Sequence, residues 1–102
     1  MLIVAGTFDM EPELRDDFLA ARTEAIMRSR GEAGCIDYSF AADSVDPGRV
    51  RLFEIWESRA DLEAHQKVMR AASAVPDIPV VRAVSYYEIA SVEPSATAPT
   101  PK

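Results

Sequence analysis

The chain has 102 residues, 48% of them hydrophobic and 27% charged, so it fits one globular domain of the usual size, about 100 to 150 residues. Its net charge is −6 and its basic residues are scattered, which argues against nucleic acid and anionic membranes as partners. The apolar first nine residues are too few to span a membrane and lack the basic leader of a signal peptide, so we expect a cytoplasmic protein.

The first third of the chain predicts a strand followed by an amphipathic helix. Residues 2–8, LIVAGTF, are β-prone, and Pro12 suits the first turn of a helix. Residues 14–30 then show apolar side chains at helical spacing, namely Leu14, Phe18, Ala21, Ala25 and Ile26. We expect Gly31 and Gly34 to end this helix in the left-handed conformation.

The middle of the chain predicts a β-hairpin. Residues 35–41 alternate in polarity and predict a strand with Ile36, Tyr38 and Phe40 on one face. The turn sequence DSVDPG follows, and residues 49–57 form the second strand. A single cysteine, Cys35, cannot form an internal disulfide, and we expect it to be a half-buried structural residue.

A second helix follows the hairpin. Ser58 and Asp61 fit the S-x-x-D capping box, which satisfies the first backbone N–H groups of a helix. One stripe of this helix carries Leu62, His65, Met69 and Ala72. Pro76 and Pro79 are expected to end it.

Residues 80–90 predict a last strand, and residues 91–102 predict a flexible C-terminal tail, because they have no apolar period. Residues 1–90 therefore form the domain, with the element order β-α-β-β-α-β. Right-handed crossovers of that order predict an α+β fold, the ferredoxin-like sandwich, in which a four-stranded antiparallel sheet carries both helices on one face.

Several strands are apolar on both faces, as where Phe53 and Ile55 alternate with Leu52 and Trp56. One face of such a sheet has no helices to cover it. Because so small a domain buries only about 60 to 65% of its unfolded surface, we expect a second copy to cover the open face in a homodimer.

Three residues near the hairpin are candidates for chemistry. Trp56 ends a strand, and His65 lies two helical turns beyond the cap, so their side chains can meet between sheet and helix. A histidine satisfied at the edge of the core remains the alternative. Glu54 shares the strand face of Trp56, and a buried carboxyl there needs a hydrogen bond or a cation. The candidate cations are Arg22, Arg51 and Arg82.

Tyr38 and Tyr87 could present phenol groups to a pocket, although strand tyrosines are commonly packing residues. One histidine without a set of Cys, Asp or Glu at ligand spacing predicts no metal site. The sequence also lacks a nucleotide-binding glycine loop and a serine-hydrolase elbow.

Three stretches together, GEAGCIDYSF, the turn DP and FEIWESRADLEAH, resemble the antibiotic biosynthesis monooxygenase family, in particular its quinol monooxygenases. The resemblance covers about residues 2–90. It implies a dimeric α+β barrel made of two ferredoxin-like protomers, each with its own pocket.

The resemblance also implies an activity, the oxidation of quinol-like or polycyclic phenolic aromatics by O₂, often without metal or flavin, so no cofactor is expected. By this resemblance His65 is the base or an orienting donor, Trp56 is an aromatic wall of the pocket and Glu54 tunes both. The expected substrate-binding residues are Phe18, Arg22, Tyr38 and Met69.

Two other functions remain open. The chain could be a non-enzymatic dimer that binds a small apolar ligand, or an isomerase or haem-binding member of the same superfamily. Haem-degrading relatives carry an asparagine on the first strand, where VAGTF offers Thr7 and no asparagine.

Overall fold

The computed structural model describes residues 1–72 and 77–95 and has the predicted element order. A short 3₁₀ turn, Pro12–Leu14, leads into the first helix. The strands and helices are β1 (Leu2–Asp9), α1 (Arg15–Arg30), β2 (Cys35–Ala42), β3 (Arg49–Trp56), α2 (Arg59–Ala71) and β4 (Val81–Glu88). Each predicted boundary lies within a few residues of the observed one.

The four strands form one antiparallel sheet in the order β2-β3-β1-β4. The α+β, ferredoxin-like fold expected from the sequence is therefore confirmed. Side chains alternate across each strand, so every other residue faces the helices. In β3 that buried set is Val50, Leu52, Glu54 and Trp56. Two of the four, Glu54 and Trp56, are the strand residues predicted to carry chemistry.

The end of α1 differs from the prediction at one glycine. Gly34 has φ +79°, the left-handed conformation expected of it. Gly31 has φ −92°, because its N–H continues the helical direction and donates to the carbonyl of Arg28 at 3.1 Å. The left-handed expectation for Gly31 was wrong, and the reversal of the chain occurs three residues later.

The face that α1 presents to the sheet is also rotated from the prediction. Phe18 and Ser29 are its buried residues, and Arg22 lies between them on the same stripe and is half-buried. Ala21, which we placed on the apolar stripe, is exposed. The sequence pattern was ambiguous because the stripe includes an arginine and a serine.

Strand β2 contains a bulge that breaks the predicted alternation. Cys35 pairs with Trp56, but Asp37 pairs with Ile55, the immediate neighbour of Trp56 in β3. Ile36 is therefore an extra residue without a partner. Ile36 is consequently 49% exposed, whereas Tyr38 is buried. The bulge turns Cys35 to the core side of the sheet, where it is half-buried as expected.

Helix α2 begins as predicted. Ser58 is its N-cap and accepts a hydrogen bond from the backbone N–H of Asp61 at 3.1 Å. The helix ends at Ala71, so Ala72 is an exposed cap residue and not part of the buried stripe. Of the predicted helix stops, Pro79 follows the helix, and Pro76 lies outside the described residues, as do residues 96–102 of the predicted tail.

The helix-free face of the sheet carries apolar side chains that nothing in the described part of the chain covers. Phe53 is 36% exposed and Tyr87 is 54% exposed. Ile3 pairs with both Ile55 and Tyr87 across this face. The two-sided apolar character read from the sequence is present, while the homodimer and the flexible tail stay predictions.

None of the described helices has the length and hydropathy that a membrane crossing would require. The cytoplasmic location stays a prediction.

Candidate functional site

A cleft of about 550 Å³ lies between the helices and the sheet. Its apolar lining is Val4, Phe8, Phe40, Leu52, Leu62 and Met69. Its polar and ionisable lining is Arg22, Tyr38, Glu54, His65, Gln66, Arg70, Arg82 and Tyr86. This is the size and character of a small-molecule pocket, an apolar surface with a limited number of placed polar groups.

His65 is fixed between two aromatic rings. Its ring centroid lies 4.7 Å from that of Trp56 and 5.2 Å from that of Tyr38. The predicted meeting of Trp56 and His65 across the turn is therefore confirmed. His65 is only 5% exposed, and its orientation is set by packing on both sides.

The sequence reasoning missed the partner of His65, which is Glu32. Nδ1 of His65 lies 2.7 Å from Oε1 of Glu32, a hydrogen bond in which Nδ1–H donates to the carboxylate. Glu32 belongs to the turn between α1 and β2. The turn is held at both ends, since the N–H of Glu32 donates to Ser29 and its carbonyl accepts from Cys35.

The pairing fixes how His65 can act. With Nδ1–H held by Glu32, Nε2 is the nitrogen turned away from the carboxylate, no described side chain hydrogen-bonds it, and in a neutral imidazole it carries the lone pair. A carboxylate on the far side of a histidine holds its tautomer and stabilises the imidazolium once it gains a proton. His65 thus has one nitrogen bound by Glu32 and the other available on the wall of the cleft.

Glu54 has a hydrogen-bonding partner, and it is not one of the three candidate arginines. The indole N–H of Trp56 donates to Oε1 of Glu54 at 2.8 Å. Burial raises the pKa of the Glu54 carboxyl, and the Trp56 hydrogen bond and the charges of His65 and Arg82 oppose that rise. Arg51 instead pairs with Asp43, at 2.7 Å.

Two predicted pocket residues stand behind the cleft wall. Trp56 is 0% exposed, so it supports His65 and Glu54 from behind and does not form the aromatic wall. Phe18 is 2% exposed and lies under the guanidinium of Arg22, at 4.2 Å from ring centroid to guanidinium carbon. The other predicted binding residues, Arg22, Tyr38 and Met69, do line the cleft.

Tyr38 lines the cleft but keeps its phenol protonated. Burial raises its pKa, and the neighbouring Glu54 charge raises it further. The fully buried Ser29 hydroxyl makes no hydrogen bond of standard geometry, yet it lies close enough to the Tyr38 phenol to oppose the rise in pKa. Tyr38 can therefore donate a hydrogen bond but is a poor base.

The tyrosine of β4 at the cleft is Tyr86, not the predicted Tyr87. Tyr86 pairs with Val4 on the helix side of the sheet, and its hydroxyl accepts a 2.6 Å hydrogen bond from Gln66 of α2. Tyr87 lies on the opposite face. Two adjacent tyrosines gave no sequence signal for which one faces the helices.

Within residues 1–72 and 77–95, no three side chains of His, Cys, Asp or Glu stand together as a metal ion would need. Burial raises the pKa of the Cys35 thiol, which disfavours the reactive thiolate.

The chain matches a known protein family over most of the domain that contains this site. The family model described as "Antibiotic biosynthesis monooxygenase" matches residues 1–74, which is more than half of the chain. The chain belongs to this family. The match includes Glu32, Glu54, Trp56 and His65, the four residues grouped around the imidazole.

Individual relatives agree on the fold. A Deinococcus radiodurans protein, provisionally named an antibiotic biosynthesis monooxygenase, has a TM-score of 0.79 at 22% identity over 93% of this chain and 98% of its own. Rv0793 from Mycobacterium tuberculosis has a TM-score of 0.66 at 28% identity, with the same two coverages.

A curated relative adds no activity. The uncharacterized Synechocystis protein sll1783 is 38% identical over 64 residues, which are 63% of this chain and 44% of that relative. This chain therefore matches less than half the length of that relative.

Proposed function

We propose that this protein is a cofactor-independent monooxygenase that oxidises a quinol-like or polycyclic phenolic aromatic with O₂. The observation that carries the proposal is the His65–Glu32 pair on the wall of an aromatic cleft. A base held in one tautomer beside an apolar pocket suits the removal of a phenolic proton. Membership of the monooxygenase family supports the same reaction class.

The proposed sequence of steps begins with proton transfer from the phenol to Nε2 of His65. The phenolate gives one electron to O₂, and the phenoxyl radical and superoxide combine at a ring carbon that carries hydrogen, which is para to the oxygen in 1-naphthol and ortho to it in a quinol. His65 returns its proton to the peroxide, which loses water to leave a quinone. For 1-naphthol the balance is one naphthol and one O₂ to one 1,4-naphthoquinone and one water, so the substrate supplies all four electrons.

The other residues of the site have supporting parts in this proposal. Glu32 orients His65 and stabilises its charged form, and Trp56 is a positioning residue because the ring has no access to substrate. Glu54 keeps the Trp56 indole in place and presents a carboxyl to the cleft. Tyr38 supplies an aromatic edge and a hydrogen-bond donor.

The test is O₂ uptake by metal-free protein with 1-naphthol, 1,4-dihydroxynaphthalene and a polycyclic quinol. We expect turnover above autoxidation, and a loss of about 100-fold or more in kcat/KM for His65→Ala, the scale of a general base. Lys67→Ala is the matched control, since Lys67 is exposed on the same helix. Its rate should equal that of the unmodified protein.

Two results would contradict the proposal. One is the absence of turnover on every compound. The other is equal turnover by the protein and by His65→Ala when both are folded. Tight binding of the same compounds without O₂ consumption would instead indicate a ligand-binding protein.

We also propose that a second copy of the chain covers the helix-free face of the sheet. The support is the row of exposed apolar side chains around Phe53 and Tyr87, which a soluble monomer of this size seldom leaves open. Light scattering at micromolar concentration should give twice the chain mass of 11.2 kDa. Phe53→Asp should shift it to the monomer mass, and a monomer before substitution would refute the proposal.

A further inference from the structure

The arginines of this acidic chain fall into two groups. Six of the nine donate to an acceptor atom on the protein, namely Arg15, Arg28, Arg30, Arg49, Arg51 and Arg59. The other three, Arg22, Arg70 and Arg82, make no hydrogen bond or ion pair with any described residue. All three line the cleft. The guanidinium groups that the fold leaves without an acceptor are therefore those that face the ligand site.

Two of these three groups lie on one aromatic cluster. The guanidinium carbon of Arg22 is 4.2 Å from the ring centroid of Phe18 and 5.5 Å from that of Phe40. That of Arg82 is 5.8 Å from the ring centroid of Phe8. The rings themselves are neighbours, with centroids 5.5 to 6.2 Å apart. The two cations thus share one apolar wall of the cleft.

Contacts with rings leave most of the hydrogen-bonding capacity of these arginines unused. A guanidinium has five N–H donors, and a ring face attracts its charge without accepting the hydrogen bonds of those donors in the ring plane. Arg22 is half-buried, and burial lowers its pKa, which shows that its charged form is poorly solvated. Arg82 is exposed, so its donors face solvent in the free protein, and an anion in the cleft would supply protein-bound acceptors to both guanidinium groups.

The sheet register separates Arg82 from the proton-accepting residues. Glu54 pairs with Val4, near the end of β1 where His65 packs, whereas Arg82 pairs with Phe8 on the other neighbouring strand. Four residues of β1 separate the two rows, about 13 Å along the strand. The reach of the Arg82 side chain shortens that distance, to a span that a fused two-ring or three-ring aromatic can bridge.

We propose that the ligand of this cleft carries an anionic oxyacid group, held by Arg22 and Arg82, at the end of the molecule away from the hydroxyl that faces His65. Carboxylate, sulfonate and phosphate share the required chemistry. The position of the hydroxyl rests on the proposed function, while the position of the anion rests on Arg22 and Arg82. Because the net charge of the chain is −6, general electrostatics repel such a ligand and only the cleft attracts it.

The test compares two ligands of equal shape and different charge, 6-hydroxynaphthalene-2-sulfonate and 6-hydroxynaphthalene-2-sulfonamide. Calorimetric titration under argon measures their Kd values without turnover. We expect the sulfonate to bind at least about tenfold more tightly, the scale of a charge-assisted hydrogen bond. High salt should weaken the preference.

Variants of the arginines show which residues produce the preference for the sulfonate. Arg82→Gln should remove most of it, and the double variant Arg22→Gln with Arg82→Gln should remove all of it, so that the two ligands bind with equal affinity. Arg51→Gln is the matched control, because Arg51 is paired with Asp43 and lies on the other face of the sheet. It should keep the full preference. Thermal unfolding of each variant shows that it is folded before binding is compared.

Equal affinity for the two ligands, no binding of either, or a preference that survives the double variant would each overturn this inference. The outcome is separable from that of the proposed function, since binding is measured without O₂. A protein that prefers the sulfonate but consumes no O₂ would support the anion site and contradict the proposed oxygenase function. A protein that oxidises 1-naphthol but shows no sulfonate preference would support the oxygenase function and contradict the anion site.

Discussion

The two ends of the cleft differ in how their charged groups are satisfied. At the histidine end, defined by Glu32, Glu54, Trp56 and His65, each polar side chain has a partner 2.7 or 2.8 Å away. At the arginine end, defined by Arg22, Arg70 and Arg82, the guanidinium groups have no acceptor among the described residues.

The difference indicates where the fold itself fixes geometry and where a ligand has to complete it. Groups that are paired in the folded chain are held in one orientation before any ligand arrives, which is what proton transfer requires. Unpaired cations keep rotational freedom and lose it only on binding an anion. Substitutions at the histidine end should therefore change chemistry or stability, and those at the arginine end should impair recognition alone.

Glu32→Gln is the substitution with the largest expected effect, and it tests whether the histidine end of the cleft is needed for chemistry and not for ligand binding. A glutamine can donate to Nδ1 of His65 and hold the wrong tautomer, in which Nε2 carries the proton and cannot accept another. We expect kcat to fall about 100-fold while the Kd of the ligand stays within about twofold. Oxygen uptake and calorimetric titration measure the two quantities.

Two companion variants sharpen the result for Glu32. Glu32→Asp keeps the carboxylate and should recover part of kcat, which a purely structural role would not predict. Glu63→Gln removes an exposed carboxylate from α2 and should leave kcat unchanged. Loss of ligand affinity in proportion to kcat would mean that Glu32 shapes the cleft and does not orient the base.

Local sequence signals predicted most of the fold. The Ser58–Asp61 cap was readable because both partners lie within one helical turn. The bulge in β2 was not, because pairing with β3 decides which residue is extra, and the composition around Ile36 fits regular alternation equally well. A shift of one residue moves a side chain to the other face, which also explains the choice between Tyr86 and Tyr87.

The candidate site was predicted in part. His65 and Trp56 could be brought together by counting residues across a tight turn, whose geometry is nearly fixed. Glu32 could not, because it lies 33 positions from His65 and meets it through the tertiary packing of α2 against the α1–β2 turn. The turn GEAG, with its acid at the same end of the sheet as Trp56, is the signal that could have identified it.

Glu54→Gln tests the histidine end through stability. The buried carboxyl has a raised pKa, so the folded protein binds its proton more tightly than the unfolded chain does. Stability contributed by this group is complete below its ordinary pKa of 4.5 and is lost as pH rises through the raised value. Glutamine keeps an acceptor for the Trp56 indole and has no proton to lose.

The expected result is therefore a pH-dependent gain. As the pH rises through the raised pKa, the Gln variant should become more stable than the unmodified protein, by about 1 kcal/mol, the scale for relieving a poorly solvated buried group. Near pH 4 the two proteins should unfold at the same denaturant concentration. A constant difference across this pH range would mean that Glu54 contributes by shape and not by charge.

The smallest effect is expected at the arginine end, from Arg82→Gln, and Arg30→Gln is its matched comparison. Arg30 donates to the backbone carbonyl of Tyr38 at 2.9 Å, so its removal leaves an acceptor unpaired and should cost about 1 kcal/mol. Arg82 has no acceptor to leave behind, and its loss should change the free energy of unfolding by less than about 0.5 kcal/mol. Urea titration of both variants without ligand measures the difference.

If Arg82→Gln cost as much as Arg30→Gln, the Arg82 guanidinium would contribute to the stability of the fold, and the contrast between the two ends of the cleft would fail. If Arg82→Gln costs nothing without ligand but removes most of the sulfonate preference, the Arg82 guanidinium contributes to ligand binding and not to folding.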